Sequence, residues 1–189
     1  MKRYPILLGL CAVLAVPGLA AAQLPLGGGL DLSSWYDIAT AASRNKTDDV
    51  KGMLIAGKSP DDTDDKGETP LGYAASFGNI EMTKILLHFN APVDRRDSLG
   101  NAPLHWAAQR GSIDVMQLLV DAKAAIDPQN KLGITPLMMA ASKGQVPAVR
   151  FLLKHGADPQ KQDYTGRDAL GWAEGKPNVL QALRSVKPG

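Results

Sequence analysis

Cysteine is nearly absent: this chain of 189 residues holds one, Cys11, close to its beginning. Beyond it there is no thiol for a disulfide, a thiolate metal site or a cysteine nucleophile. Aromatic residues make up only 5% of the chain, which suits thin layers of Ala and Leu better than one bulky core. Long apolar runs are also missing. The longest, residues 6–16, falls well short of the ~20 residues a helix needs to span a bilayer core. The three histidines, His88, His105 and His155, stand too far apart along the chain to match any metal-ligand spacing. No Ser-His-Asp order and no Gly-x-Ser-x-Gly elbow appears. The expectation is therefore a non-catalytic protein without a cofactor.

The beginning of the chain differs in kind from the rest. Lys2 and Arg3 precede the apolar run, and Ala20, Ala21 and Ala22 supply the small residues that an export peptidase reads. This layout predicts a leader over residues 1–22, cleaved after Ala22. Leu10 stands before Cys11, where lipid attachment would need a small residue. Export to an oxidising compartment such as the bacterial periplasm suits a thiol-free mature chain. Residues 23–30, QLPLGGGL, read as a flexible tether. The formal charge of +2 comes from Lys2 and Arg3, yet charge is unevenly spread along the chain. Residues 31–94 carry 6 basic and 11 acidic side chains, and residues 95–189 carry 13 basic and 8 acidic. Such polarity can orient a charged partner, but there is no clustered basic face to suggest nucleic acid.

What the chain has in abundance is repetition. Gly67-Glu-Thr-Pro-Leu, Gly100-Asn-Ala-Pro-Leu, Gly133-Ile-Thr-Pro-Leu and Gly166-Arg-Asp-Ala-Leu follow one another at a constant interval, without insertions. A period of this length marks an array of small supersecondary units. In the unit 64–96, Thr69 is placed to cap a helix and Pro70 tolerates its first position. Leu71, Ala74 and Ala75 form a small apolar face, Gly78 ends the helix, and residues 80–88 form a second one with Ile85, Leu86 and Leu87 toward the neighbours. The units 97–129 and 130–162 repeat this logic. Ala102 replaces the capping threonine, a loss of ~1 kcal/mol unless another group substitutes. Residues 35–45 and 47–56 have helical periodicity and read as an N-terminal cap, 31–63. Residues 163–189, with Asp168 opening the helix, read as a C-terminal cap. Helices this short are stable only when stacked.

With Gly-x-Thr-Pro-Leu, Ala-Ala, Gly and Leu-Leu in phase across three full units, the chain resembles the ankyrin-repeat family over residues 31–186. The resemblance implies an all-α solenoid of stacked helix-turn-helix units, with hairpin loops centred on residues 61–68, 94–101, 127–134 and 159–167. It also implies a monomeric binding module that meets another protein on a concave surface of hairpin tips and first-helix faces. Carried over position by position, that surface comprises Lys66, Glu68, Phe77, Leu99, Asn101, Gln109, Arg110, Leu132, Ile134, Ser142, Lys143 and Arg167. Gly72 and Met138 stand where the family often has histidine; at His105 the family uses the ring to hold neighbouring backbone. Some small exported bacterial proteins of this kind are linked to peroxide defence, including support of a catalase.

Two features admit a sharper and a blander reading. Asp61, Asp62, Asp64 and Asp65 form the densest carboxylate cluster, and hard cations take several oxygen ligands. This is the basis of the alternative function, a small-ligand or metal-ion carrier. The loop lacks the alternating ligands, glycine and distant Glu of a dedicated calcium site, so a solvated hairpin is expected. Tyr73, Trp106, Met139 and Trp172 share one phase of successive units, and packing between repeats is expected of them before ligand stacking.

Overall fold

The computed structural model describes residues 37–185. The expected leader (1–22) and tether (23–30), Trp35 and the last four residues lie outside the described residues. Ten helices occur among those described: α1 (Ile38–Ser43), α2 (Thr47–Ile55), α3 (Pro70–Phe77), α4 (Ile80–His88), α5 (Pro103–Arg110), α6 (Ile113–Asp121), α7 (Pro136–Lys143), α8 (Val146–Lys154), α9 (Ala169–Trp172) and α10 (Pro177–Arg184). They form five hairpin pairs. The first helices pack in the order α1, α3, α5, α7, α9, and the second helices in the order α2, α4, α6, α8, α10. The result is a two-layer stack.

Local chemistry sets the helix boundaries. The side chains of Thr69, Thr135 and Asp168 accept hydrogen bonds from the backbone N–H groups of Gly72, Met138 and Gly171, capping α3, α7 and α9. Ala102 has no side-chain oxygen to accept the His105 N–H; the His105 ring supplies the reciprocal half of the cap, its Nδ1 accepting from the Ala102 N–H at 3.0 Å. A backbone N–H can only donate, so Nδ1 is the unprotonated nitrogen. Nε2 therefore carries the proton and donates to the Ile134 carbonyl of the next hairpin at 3.0 Å. One neutral ring thus holds the start of its own helix and fastens the following repeat. α9 is only four residues long: Gly175 follows in the left-handed region at φ +75°, and Pro177 opens α10 with Lys176 held extended before it.

The core runs between the layers. From the first helices it takes Leu71, Ala74 and Ala75, then Leu104, Ala107 and Ala108, then Leu137, Ala140 and Ala141. The alanines let the helices approach closely. In the second helices the fully covered stripe is Met82, Thr83 and Leu86, then Val115, Met116 and Leu119, then Ala148, Val149 and Leu152. The expected Ile85 and Leu87 flank this stripe half-buried, since such a short helix between two neighbours can cover little more than its i, i+1 and i+4 positions. Each fully buried leucine of the stripe contributes roughly 1.5–3 kcal/mol.

Three of the four hairpins are built on one carboxylate each, and the fourth on an amide. Asp97 Oδ1 accepts the N–H groups of Leu99 and Asn101, while Oδ2 accepts the Trp106 indole N–H at 2.9 Å. Asp64 does the same for Lys66, Glu68 and the Tyr73 hydroxyl, and Asp163 for Thr165, Arg167 and the Trp172 indole. In the remaining unit the equivalent residue is Asn130, facing Met139, which has no proton to give. Asn130 Oδ1 still accepts from Leu132 and Ile134, but its amide turns to Asn101 Oδ1. The rings of this phase pack against the core, as the packing reading expected, but they also hold the hairpin of their own unit through a polar bond, which that reading did not include.

Adjacent hairpins are joined through backbone: Lys131 N–H donates to the Leu99 carbonyl and Tyr164 N–H to the Leu132 carbonyl, each at 3.1 Å. Gly133 makes this approach feasible. Its φ is +78°, and a Cβ there would lie 2.7 Å from Tyr164 N. On the far side, Asp94 accepts from Ala125 N–H and Asp127 from Asp158 N–H, each reaching into the next unit. The corresponding partner of Asp61 would be Pro92, which has no N–H. Asp61 instead meets the Arg95 guanidinium at 3.4 Å.

Candidate functional site

Two adjoining hollows lie along the exposed side of the first helices, sharing Ser76 and Trp106. The smaller, about 200 Å³, is lined by Lys66, Glu68, Gly72, Tyr73, Ser76 and Trp106. The larger, about 410 Å³, is lined by Ser76, Trp106, Gln109, Arg110, Lys143 and Gln145. Their floor is rigid. Trp106 is pinned through its indole to Asp97, and Tyr73 through its hydroxyl to Asp64. Gln145 reaches into the larger hollow across Gly111, whose φ is +79°, and donates to the Gln109 carbonyl at 3.3 Å. A Cβ at position 111 would sit 2.6 Å from the Gln145 side chain, so glycine there serves both the turn and the shape of the hollow.

The two ends differ in charge. Glu68 is half-buried; burial is the largest influence on its carboxyl, the carboxylates of Asp97 and Asp64 add to it, and Lys66 opposes, leaving the carboxyl pushed up to about 7. The folded protein therefore holds a proton on Glu68 that the unfolded chain releases near pH 4.5. Stability from this group falls as pH rises through that window. Glu68→Gln should accordingly raise the melting temperature at pH 8 and leave it nearly unchanged at pH 4; thermal melts at the two pH values check this. A larger gain at pH 4 than at pH 8 would contradict it. At the other end, Arg110 and Lys143 are exposed, each at the last position of its helix.

Of the surface expected from the sequence, Lys66, Glu68, Gln109, Arg110 and Lys143 line the hollows. Phe77, Leu99 and Leu132 are exposed, at 40%, 58% and 64%, but stand outside them, as do Ser142 and Arg167. Arg167 stacks on the Trp172 ring at 4.2 Å. Two residues do not belong to a surface at all. Asn101 is 2% exposed, because its amide bridges Asp97 and Asn130. Ile134 is 9% exposed, where the hairpin folds back on the first helices and is held by His105. Ser76, Gly72, Tyr73, Trp106 and Gln145 were absent from the expected surface. Ser76 was within reach: it has the phase of Gln109 one unit later and of Ser142 two units later.

Within the Asp61 to Asp65 cluster, Asp62 and Asp65 are exposed and the other two carboxylates are engaged. Asp64 is occupied as described, and Asp61 faces Arg95. Among the described residues, no group of three or more histidine, cysteine or acidic side chains is placed to hold a metal ion. No described helix is long and apolar enough to cross a membrane.

A two-layer stack of short helix pairs, tied by hairpins and presenting a polar groove on one layer, defines a repeat scaffold of the interaction type. Residues 38–131 and 122–188 match the family model of ankyrin repeats (3 copies), and the chain belongs to that family. Its members serve in general as protein-protein interaction modules. No curated protein matches the chain.

Proposed function

We propose that the protein is a non-catalytic, monomeric adaptor that binds another protein in the groove formed by the two hollows, on the concave side of the stack. One observation carries this reading. The residues that recur in every unit are consumed by caps, core and joints, whereas Lys66, Ser76, Gln109, Arg110 and Lys143 line the groove and vary from unit to unit. A scaffold's fixed residues explain its fold, and its function lies in the variable surface. The predicted leader supports export to a bacterial periplasm, where the partner would be met. Support of oxidative-stress defence is the biological role that the family resemblance suggests.

The experiment is photo-crosslinking in the producing cells. A photoreactive amino acid at position 76, in the groove, should yield a discrete adduct with another protein. The same group at position 84, exposed on α4 in the opposite layer, should not. Equal adducts from both positions, or none from position 76, would remove the groove as the binding face.

A further inference from the structure

The partner's chemistry is inscribed in one row of side chains. The position that closes each first helix holds Phe77, Arg110 and Lys143, and the same phase in the last unit holds Lys176. Lys176 lies along the turn at Gly144, its Cδ 3.6 Å from where a Cβ of that glycine would be. The same phase in the first unit holds Arg44, so the row sets one aromatic between that arginine and three cations. Among the described residues, no acidic side chain lies within ion-pair distance of Arg110, Lys143 or Lys176. Favourable placement at helix C-termini accounts for cations in the last turn, at about 0.3–1 kcal/mol each. It does not account for two of them bordering one 410 Å³ hollow beside a pinned indole.

Spacing narrows the ligand further. Packed helices lie roughly 8–10 Å apart, so successive cations of the row repeat on that scale. A β-strand alternates its faces every residue, which puts residues i and i+3 on opposite sides. A polyproline II segment turns once every three residues with a rise of ~3.1 Å, which puts i, i+3 and i+6 on one face about 9 Å apart. Glu68 lies in the smaller hollow with the Asp97 and Asp64 carboxylates behind it; its own carboxyl, pushed up to about 7 by burial and by those two charges, offers no partner to a further carboxylate.

Building on the adaptor reading above, we propose that the groove receives an acidic segment of the partner in polyproline II conformation. Carboxylates at every third residue face Arg110, Lys143 and Lys176, and an uncharged end lies toward Phe77 and Glu68. Charge complementarity commits the site to an acidic peptide. Recognition of this kind is steered electrostatically and weakens with salt.

The test uses the full mature chain and labelled synthetic peptides in fluorescence anisotropy. One peptide repeats Glu-Pro-Pro four times, a second repeats Gln-Pro-Pro, and a third carries the same glutamates clustered at one end. The Glu-Pro-Pro peptide should bind at least about tenfold more tightly than the other two. The double variant R110E/K143E should lose that preference, as should the milder R110Q/K143Q. The control K51E/K84E, on exposed positions of the second helices, should keep it. Equal binding of the Glu and Gln peptides, equal binding of the clustered peptide, or undiminished binding by R110E/K143E would each overturn the proposal. The crosslinking experiment separates this from the broader reading: a position-76 adduct that persists in R110E/K143E leaves the groove intact as a binding face and removes its acidic ligand.

Discussion

Replacing His105 with Ala should reduce the unfolding free energy by about 3–5 kcal/mol, read from urea denaturation followed by helical circular dichroism. The side chain is fully buried. Its loss strands the Ala102 N–H and the Ile134 carbonyl, leaves a void in the middle of the stack, and severs α5 from the next hairpin. Burial also holds the ring's pKa below its ordinary 6.5, so the folded protein resists a proton that the unfolded chain accepts. That penalty falls on the wild type below about pH 6.5 and not on the variant, so the deficit should be smaller at pH 5 than at pH 8. The neighbouring repeat supplies an internal check. Thr135 caps α7 and Met138 fills the equivalent of the histidine position, so A102T/H105M should recover part of what H105A loses. A deficit under about 1 kcal/mol for H105A would show that the ring is dispensable.

The second large effect is expected at Asp97. Asp97→Ala removes the acceptor for two backbone N–H groups, the Asn101 amide and the Trp106 indole, and should also lower stability by about 3–5 kcal/mol. Asp97→Asn is the informative companion. Asn130 shows that an amide oxygen can organise the hairpin backbone, but the amide nitrogen cannot accept from the indole. D97N should therefore lose about 1–2 kcal/mol and free the floor of the groove, seen as a changed Trp106 emission. Because the Asp97 charge helps to push up the Glu68 carboxyl, D97N should also flatten the stability change that Glu68 imposes between pH 5 and 7. An unchanged slope would detach Glu68 from Asp97.

Asp163 is the opposite electrostatic case on the same scaffold. Burial disfavours its charge, yet bonds from the Thr165 hydroxyl, the Arg167 and Thr165 N–H groups and the Trp172 indole outweigh burial, holding the carboxyl at about 2. Its contribution is present above pH 3.8 and is lost as pH falls toward 2. Two hairpin carboxyls of one repeating scaffold are thus driven in opposite directions. Asp163 is surrounded by donors, whereas Glu68 is flanked by carboxylates.

How much of this was legible in the sequence follows from which forces act locally. The period, the caps at Thr69, Thr135 and Asp168 and the glycine turns could all be read, because each depends on residues within a few positions or on strict recurrence. The role of His105 came from the family resemblance, since one of its partners lies in the next unit and its phase holds Gly72 and Met138 in the neighbouring units. The hairpin carboxylates were equally periodic, at Asp64, Asp97 and Asp163 with Asn130 between them. They went unread because their partners, Tyr73, Trp106 and Trp172, were assigned to packing alone. The telling sign was correlated change: where Met139 replaces a ring that can donate, Asn130 replaces the aspartate. Surface residues were the least legible. Asn101 and Ile134 sit at hairpin positions that face solvent in the repeat pattern, but a bond to Asn130 in one case and closure over His105 in the other turned them inward. Such outcomes depend on the neighbouring unit, which the local sequence does not encode.

The joints between successive hairpins have an evolutionary corollary. Each links a unit only to its successor, and the backbone joints need no particular side chain in either partner. Duplicating or deleting one whole unit in phase would re-form these backbone joints, while the His105–Ile134 and Asn101–Asn130 ties belong to one junction alone. Groove length can then drift independently of groove chemistry, by copying whole units in one event and substituting single side chains in another.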